Sequence, residues 1–181
     1  MAEHLTNTSQ LTLMELLDSR ENRVRHQQEL LAEYGGSLVS MTLNIPGPVK
    51  DSPEYRKALR RGMEELKEKI ASVTEPEGFL HEEIRDLITG PEGYLCISKE
   101  SLSPMELKKA AVEVEEASPL GRLFDIDVLT AEGGISRAAL GAPPRRCLIC
   151  PRDAKACARS RAHSMDELLA RVAEIITETV I

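Results

Sequence analysis

GRLFDIDVLT, residues 121–130, is the stretch on which the fold turns. Phe124, Ile126 and Val128 alternate with Asp125 and Asp127, the period-two pattern of a strand with one apolar and one polar face. The two carboxylates therefore project from the same side. Like charges so close repel, and burying either without a partner is costly. Such a strand needs something positive beside it. A metal ion is one candidate; arginines paired to the aspartates for structure alone are the other.

The segments before this strand set its place. Ser103-Pro104 with Glu106 is a capping box, and Leu107, Ala111 and Val114 carry the helix to about Ala117. YLCIS (94–98) reads as a strand after the turn Gly90-Pro91-Glu92-Gly93, and GFLHEEIRDLITG (78–90) as the strand leading into that turn. Ser52-Pro53 opens another helix, striped by Tyr55, Leu59, Met63, Leu66 and Ile70. SLVSMTLNIPG (37–47) is the first strand. The order is βαββαβ, which predicts an α+β, ferredoxin-like antiparallel sheet in the order 4-1-3-2 over residues 37–137. AEGGISR (131–137) extends strand four as a short hairpin. Thr12 and Glu15 cap an N-terminal helix over 12–34, which Gly35-Gly36 stops. Residues 141–181 form a Cys-rich segment and a last helix, capped by Ser164 and Glu167 and running to about Glu178. The whole chain, 1–181, reads as a single domain.

This topology brings three loops to one edge: residues 46–51, 90–93 and 121–127. The two crossover helices cover one face, and Asp125 and Asp127 point to the other, open face. With 181 residues, 41% apolar and 29% charged, the composition is that of a soluble globular domain. No apolar run reaches the roughly 20 residues of a membrane span. The start, MAEHLTNTSQ, lacks the basic-then-apolar layout of a signal peptide, so a cytoplasmic location is expected. A net charge of −7 and 3% aromatics argue against nucleic acid as the main partner.

Paired carboxylates at i and i+2 suit Mg²⁺, a hard ion that takes oxygen ligands and leaves room for substrate phosphates. Cations stand on the converging loops: Lys50 near the start of a helix, Arg122 just before the aspartates, and Arg145 and Arg146 before the cysteines. Guanidinium forks suit phosphate oxygens. The polar middle of the first helix, SRENRVRHQQ (19–28), is either a solvated face or lies beside a charged ligand. Cys96, alone in an apolar run, reads as core. Cys147, Cys150, Cys157 and His163 follow a C-x2-C-x6-C-x5-H spacing. Two readings stay open: a structural zinc site, or thiols packed at a loop and helix start. The short six-residue gap, and the Ser164 cap that orders the segment without metal, tip the balance slightly to the second.

The blocks NIPGPVKDS (44–52), TGPEG (89–93), SPLGRLFDIDVLT (118–130), PPRRCLIC (143–150) and CARSRAHS (157–164) carry a resemblance. Together they resemble the apo-citrate lyase phosphoribosyl-dephospho-CoA transferases, in the same order and over nearly the full length. The aspartate strand is also similar to the metal-binding strand of the pterin pyrophosphokinases. The family resemblance implies a nucleotidyltransferase-type, holo-acyl-carrier-protein synthase reaction. The phosphoribosyl-dephospho-CoA group passes from triphosphoribosyl-dephospho-CoA to a serine of the citrate lyase acyl carrier protein, and pyrophosphate leaves. In that reaction Asp125 and Asp127 would hold Mg²⁺. Lys50, Arg122, Arg145 and Arg146 would neutralise the phosphates, and Gly47 and Gly121 would admit the substrate close to the backbone. Glu113 is a further acidic candidate, weighed against a solvated helix glutamate. Two rival classes stay open: a small-molecule diphosphate or nucleotidyl transferase, and a non-catalytic, zinc-stabilised interaction module of the lyase assembly.

Overall fold

The structure, a computed structural model, describes residues 11–180. The leader reading of MAEHLTNTSQ falls on residues 1–10, outside the described ones. In chain order the elements are α1 (Leu13–Tyr34), β1 (Ser37–Leu43), α2 (Pro53–Ala71), β2 (Phe79–Arg85), β3 (Glu92–Ile97), α3 (Pro104–Ala117), β4 (Phe124–Thr130), β5 (Gly133–Ile135), α4 (Ala154–Ser160) and α5 (Met165–Val180). The fold is α+β: a five-stranded antiparallel sheet in the order β2-β3-β1-β4-β5, with helices on both faces.

The expected caps start the helices. The Thr12 side chain accepts from Glu15 N–H and Glu15 reaches back to Thr12, while Ser103 and Glu106 do the same for α3. Ser52 caps α2 with Pro53 at its first position. Short elements went unread in the sequence. A 3₁₀ turn, Leu120–Leu123, precedes β4; a second, Arg137–Leu140, follows β5; and α4 forms inside the Cys-rich segment. The first strand ends at Leu43, before the NIPG stretch, although Asn44 N–H still donates to the Leu123 carbonyl at 2.7 Å in the same register, one step beyond the Leu43–Phe124 pair.

Alternation divides each central strand between two different layers. Val39, Met41, Leu95, Ile97, Phe124, Ile126 and Val128 face α2, α3 and α5 and form the main core with Leu59, Leu66, Leu107 and Ile175. The opposite face is graded along the strands. At one end Leu38, Cys96 and Leu129 pack with Tyr94 under Leu30, Leu31 and Tyr34 of α1. Toward the other end the same face carries Ser40 opposite Asp127, then Thr42 opposite Asp125. The face expected to be open is thus partly roofed by α1. Its C-terminal half is held by apolar contacts, and its N-terminal half carries arginines over the polar end of the sheet.

The edge of β4 is finished by side chains. β5 pairs only with Val128, Leu129 and Thr130, so the first half of β4 has a free edge. There the Glu115 carboxylate accepts from Ile126 N–H at 3.0 Å, and Lys108 Nζ donates to the Ile126 carbonyl at 2.6 Å. Arg137 pairs with the same Glu115. A buried edge must satisfy its polar groups, and α3 supplies the partners for β4.

Candidate active site

Because β1 runs antiparallel to both β3 and β4, its last residues lie beside the starts of those strands. Thr42 sits opposite Asp125, and Met41 lies between Gly93 and Ile126. The loop after β1 and the turn before β3 therefore close on the aspartate strand. They enclose a cavity of about 180 Å³ whose walls include Arg20, Arg23, Thr42, Lys50, Thr89 and Asp125. The convergence of the β1 loop, the 89–91 turn and the start of β4 is the one the strand order demands.

Asp125 is half exposed, and Arg145 Nη1 donates to its Oδ1 at 2.7 Å. Arg145 Nη2 donates to the Phe124 carbonyl, which fixes the guanidinium at the strand start. Asp127 has no such partner among the described residues. Desolvation pushes its carboxyl above the ordinary value, and the neighbouring Asp125 pushes it further. One carboxylate is thus neutralised on one oxygen, while the charged form of the other is disfavoured. Oδ2 of Asp125 and the Asp127 carboxylate, on one strand face with Thr42 opposite Asp125, are oxygen donors of the kind a hard divalent cation takes, while the Ser40 hydroxyl opposite Asp127 already accepts from Gln27 at 2.9 Å.

Across the cavity the sign reverses. Lys50 Nζ donates to the Ile45 carbonyl, and its pKa is lowered, first by desolvation and then by the positive Arg20. Neither Lys50 nor Arg20 has a carboxylate partner among the described residues. Arg23 is anchored through Nε to buried Glu92 at 2.7 Å, and Tyr94 also donates to Glu92. Two cations pressed together and left unpaired are the complement of an anion.

Other expected residues fall elsewhere. Arg122 Nη2 donates to the carbonyls of Arg146 and Cys147, at 2.9 and 2.7 Å, so it ties down the 145–147 loop and does not line the cavity. The Arg146 side chain is exposed, and its backbone bridges to Asp153. Gly121 is buried, and a Cβ there would lie 2.3 Å from the Val114 carbonyl oxygen; packing on α3 requires the glycine. Gly47, at φ +78°, sits beside Met165 and Leu169 of α5. Glu113 pairs with Lys69 between α3 and α2, on the helix side of the sheet away from the aspartates.

The cysteines converge. Cys147 N–H donates to the Arg152 carbonyl at 2.7 Å and Ala154 N–H to the Arg145 carbonyl at 2.8 Å, closing a tight knuckle that carries Cys147 and Cys150. Asp153 caps α4, which presents Cys157, and Arg161 in the left-handed region turns the chain so that His163 returns. The four ligand atoms lie within 4.8 Å of one another, with Cys150 Sγ 3.5 Å from Cys157 Sγ and 3.3 Å from His163 Nε2. Tetrahedral zinc with bonds of about 2.3 Å places its sulfur ligands roughly 3.8 Å apart. Arg152 and His163 lower the Cys150 thiol to about 6, whereas desolvation raises Cys157 to about 11. The group can bind a metal such as zinc, a convergence that simple packing of thiols does not require.

A family model described as apo-citrate lyase phosphoribosyl-dephospho-CoA transferase matches residues 11–179. The chain belongs to that family. Curated relatives bearing the same name are similar to it. One from Escherichia coli O1:K1 / APEC and one from Shigella boydii serotype 18 are each 39% identical over 171 residues, covering 93% of this chain and 90% of the relative. The apo-citrate lyase phosphoribosyl-dephospho-CoA transferase match spans every segment that builds the cavity, from α1 to the cysteine knuckle.

For this member of the apo-citrate lyase phosphoribosyl-dephospho-CoA transferases, the sequence reading missed Arg20, Arg23 and Thr89 as cavity residues. The signal that was available is the polar, cation-rich run SRENRVRHQQ (19–28), which holds Arg20 and Arg23 and is open to both readings, a solvated face or a position beside a charged ligand. Among the described residues no helix is long and apolar enough to cross a membrane.

Proposed function

We propose that the protein transfers the phosphoribosyl-dephospho-CoA group of triphosphoribosyl-dephospho-CoA to a serine of the citrate lyase acyl carrier protein, with release of pyrophosphate, in the cytoplasm. The observation that carries the reading is that Asp125, with Asp127 two residues along the same strand face, meets across one cavity Lys50 and Arg20, cations with no carboxylate partner among the described residues, in a chain of this family. The βαββαβ order supports a ferredoxin-like core over 37–137 within a single transferase domain, 1–181.

The residues divide the work. Lys50, Arg20 and the free nitrogens of Arg23 bind the polyphosphate and offset the charge that gathers on the departing pyrophosphate. The serine oxygen attacks the phosphorus nearest the ribose. The bond from that phosphorus to its bridging oxygen breaks, pyrophosphate takes the electron pair, and the serine proton passes to an acceptor in the solvent-open cleft. Asp125 and Asp127 would hold Mg²⁺, which supplies Lewis-acid stabilisation of the phosphoryl oxygens when bound. Arg145 keeps Asp125 oriented. A larger groove of about 580 Å³ adjoins the cavity through Ser19, Arg23 and Thr89, giving room for the non-reacting body of a long donor.

Pyrophosphate release tests the reading, since it must require donor and carrier together. Lys50→Met or Arg20→Met should each raise the donor KM by about tenfold or more, the scale of one charge-assisted contact, with the carrier KM unchanged. An unaltered donor KM in both variants would remove the anion site from the account.

Cys147, Cys150, Cys157 and His163 are inferred to hold one structural zinc ion. Four-coordinate Cys3His ligation is closed to substrate and fastens the 145–147 loop that carries Arg145. Elemental analysis of protein purified without added metal should give zinc near one equivalent, lost in Cys150→Ser. Metal-free protein that is fully active and equally stable would contradict it.

A further inference from the structure

Resting on the transfer reading, we infer that the exposed basic face of α4 and its flanks is where the carrier protein docks, through an acidic surface of its own. Residues 143–163 hold six of the chain's 23 lysines and arginines and one of its 30 acidic residues, a local charge of +5 against −12 for the rest. Arg146, Arg152, Lys155, Arg159 and Arg161 are all exposed. Among the described residues only Arg145 of the six has a carboxylate partner, Asp125, whereas arginines elsewhere are paired, as in Arg56 with Asp51, Arg60 with Asp86 and Arg137 with Glu115. Arg152 is engaged with the Cys150 thiol, but Arg146, Lys155, Arg159 and Arg161 have no carboxylate partner among the described residues, and in a chain so rich in carboxylates such a cluster is reserved for an external acid.

Position favours a protein over a small ligand. Lys155 and Arg159 are four residues apart, on one face of a short helix, and both are exposed and outside the lining of the neighbouring groove. Beside them runs an apolar groove of about 600 Å³ lined by Leu148, Ala154, Ala158, Met165 and Leu168, reaching Asn44 on the loop that also walls the active cavity. Arg161 lines this groove, and Lys155 and Arg159 stand on the helix that walls it. An apolar strip beside charged residues is the layout of a protein interface, with the charges steering encounter and the apolar centre excluding water. The patch also begins where it must: Arg145, its first cation, is bonded to Asp125. A carrier seated on α4 therefore presents its serine at the aspartates while the donor's phosphates stay with Lys50 and Arg20.

The test uses the full chain with purified apo-carrier protein and the double variant Lys155→Glu/Arg159→Glu. Direct binding of apo-carrier should weaken by about tenfold or more, because two exposed attractions become repulsions. The carrier KM should rise in parallel, and binding by the wild type should fall steeply with added salt. Donor KM, zinc content and melting temperature should be unchanged. Unaltered carrier binding in a folded variant overturns the proposal. So does a raised donor KM with carrier binding intact, or loss of binding to a labelled oligonucleotide without loss of carrier binding. A wild type that binds apo-carrier but transfers nothing to it refutes the transfer reading, while the binding comparison still decides the docking face.

Discussion

Asp125→Asn and Asp127→Asn are each expected to slow transfer by about 10³-fold or more while the fold survives, the scale on which loss of one group that stabilises transition-state charge acts. The two variants should part company in stability, and that separates function from structure. Desolvation and Asp125 hold the Asp127 carboxyl above its ordinary value, so its charged form is the disfavoured one in the folded chain. For a raised carboxyl the destabilisation is present above the folded pKa and is relieved as pH falls through it. Asn at 127 removes that cost, so the melting temperature of metal-free Asp127→Asn at neutral pH should match or exceed the wild type. Asp125→Asn instead loses the pairing with Arg145, a half-exposed contact of small worth. If the aspartates served structure only, both variants would lose stability and keep their rate. Near-normal turnover in both would remove them from the active site.

Glu115→Ala should destabilise the fold by about 3–5 kcal/mol, the usual result of removing one partner from a buried charged network. Glu115 is 4% exposed and serves two partners at once, Ile126 N–H and Arg137. Its loss strands a backbone donor on the edge of the strand that carries both aspartates, beside buried Lys108. Glu115→Gln keeps an acceptor and should cost less. Urea unfolding of the two variants checks this; a loss below about 1 kcal/mol in Glu115→Ala would mean that water or β5 takes over the edge.

The sheet was legible because its signals are local and redundant. Capping boxes at Thr12–Glu15 and Ser103–Glu106, Ser52-Pro53, and strict alternation in β4 each mark an element without tertiary information. Once the βαββαβ order was read, antiparallel pairing brought the β1 loop, the 89–91 turn and β4 together. What escaped depends on long-range packing. Nothing around Arg20 or Arg23 says that α1 folds back across the sheet; that follows from Leu30 and Tyr34 meeting Leu38, Tyr94 and Cys96. Arg122 looked like a phosphate ligand from its place beside the aspartates, but the preceding 3₁₀ turn aims it at the carbonyls of the cysteine knuckle. Gly121 follows the same logic, since its lack of a side chain answers to the α3 carbonyls. The spacing of the cysteines left zinc and packing open, because a six-residue gap says nothing until α4 and the left-handed Arg161 bring His163 back to Cys150.

The central claim is that the cavity transfers a phosphoribosyl-dephospho-CoA group to the carrier protein. Intact-mass measurement of the apo-carrier, incubated with triphosphoribosyl-dephospho-CoA, Mg²⁺ and either the wild-type protein or Asp127→Asn, tests it most directly. The account predicts a gain equal to one phosphoribosyl-dephospho-CoA group on a serine, one pyrophosphate released per carrier modified, and no gain with Asp127→Asn. A carrier of unchanged mass after incubation with folded, metal-replete wild-type protein would contradict it.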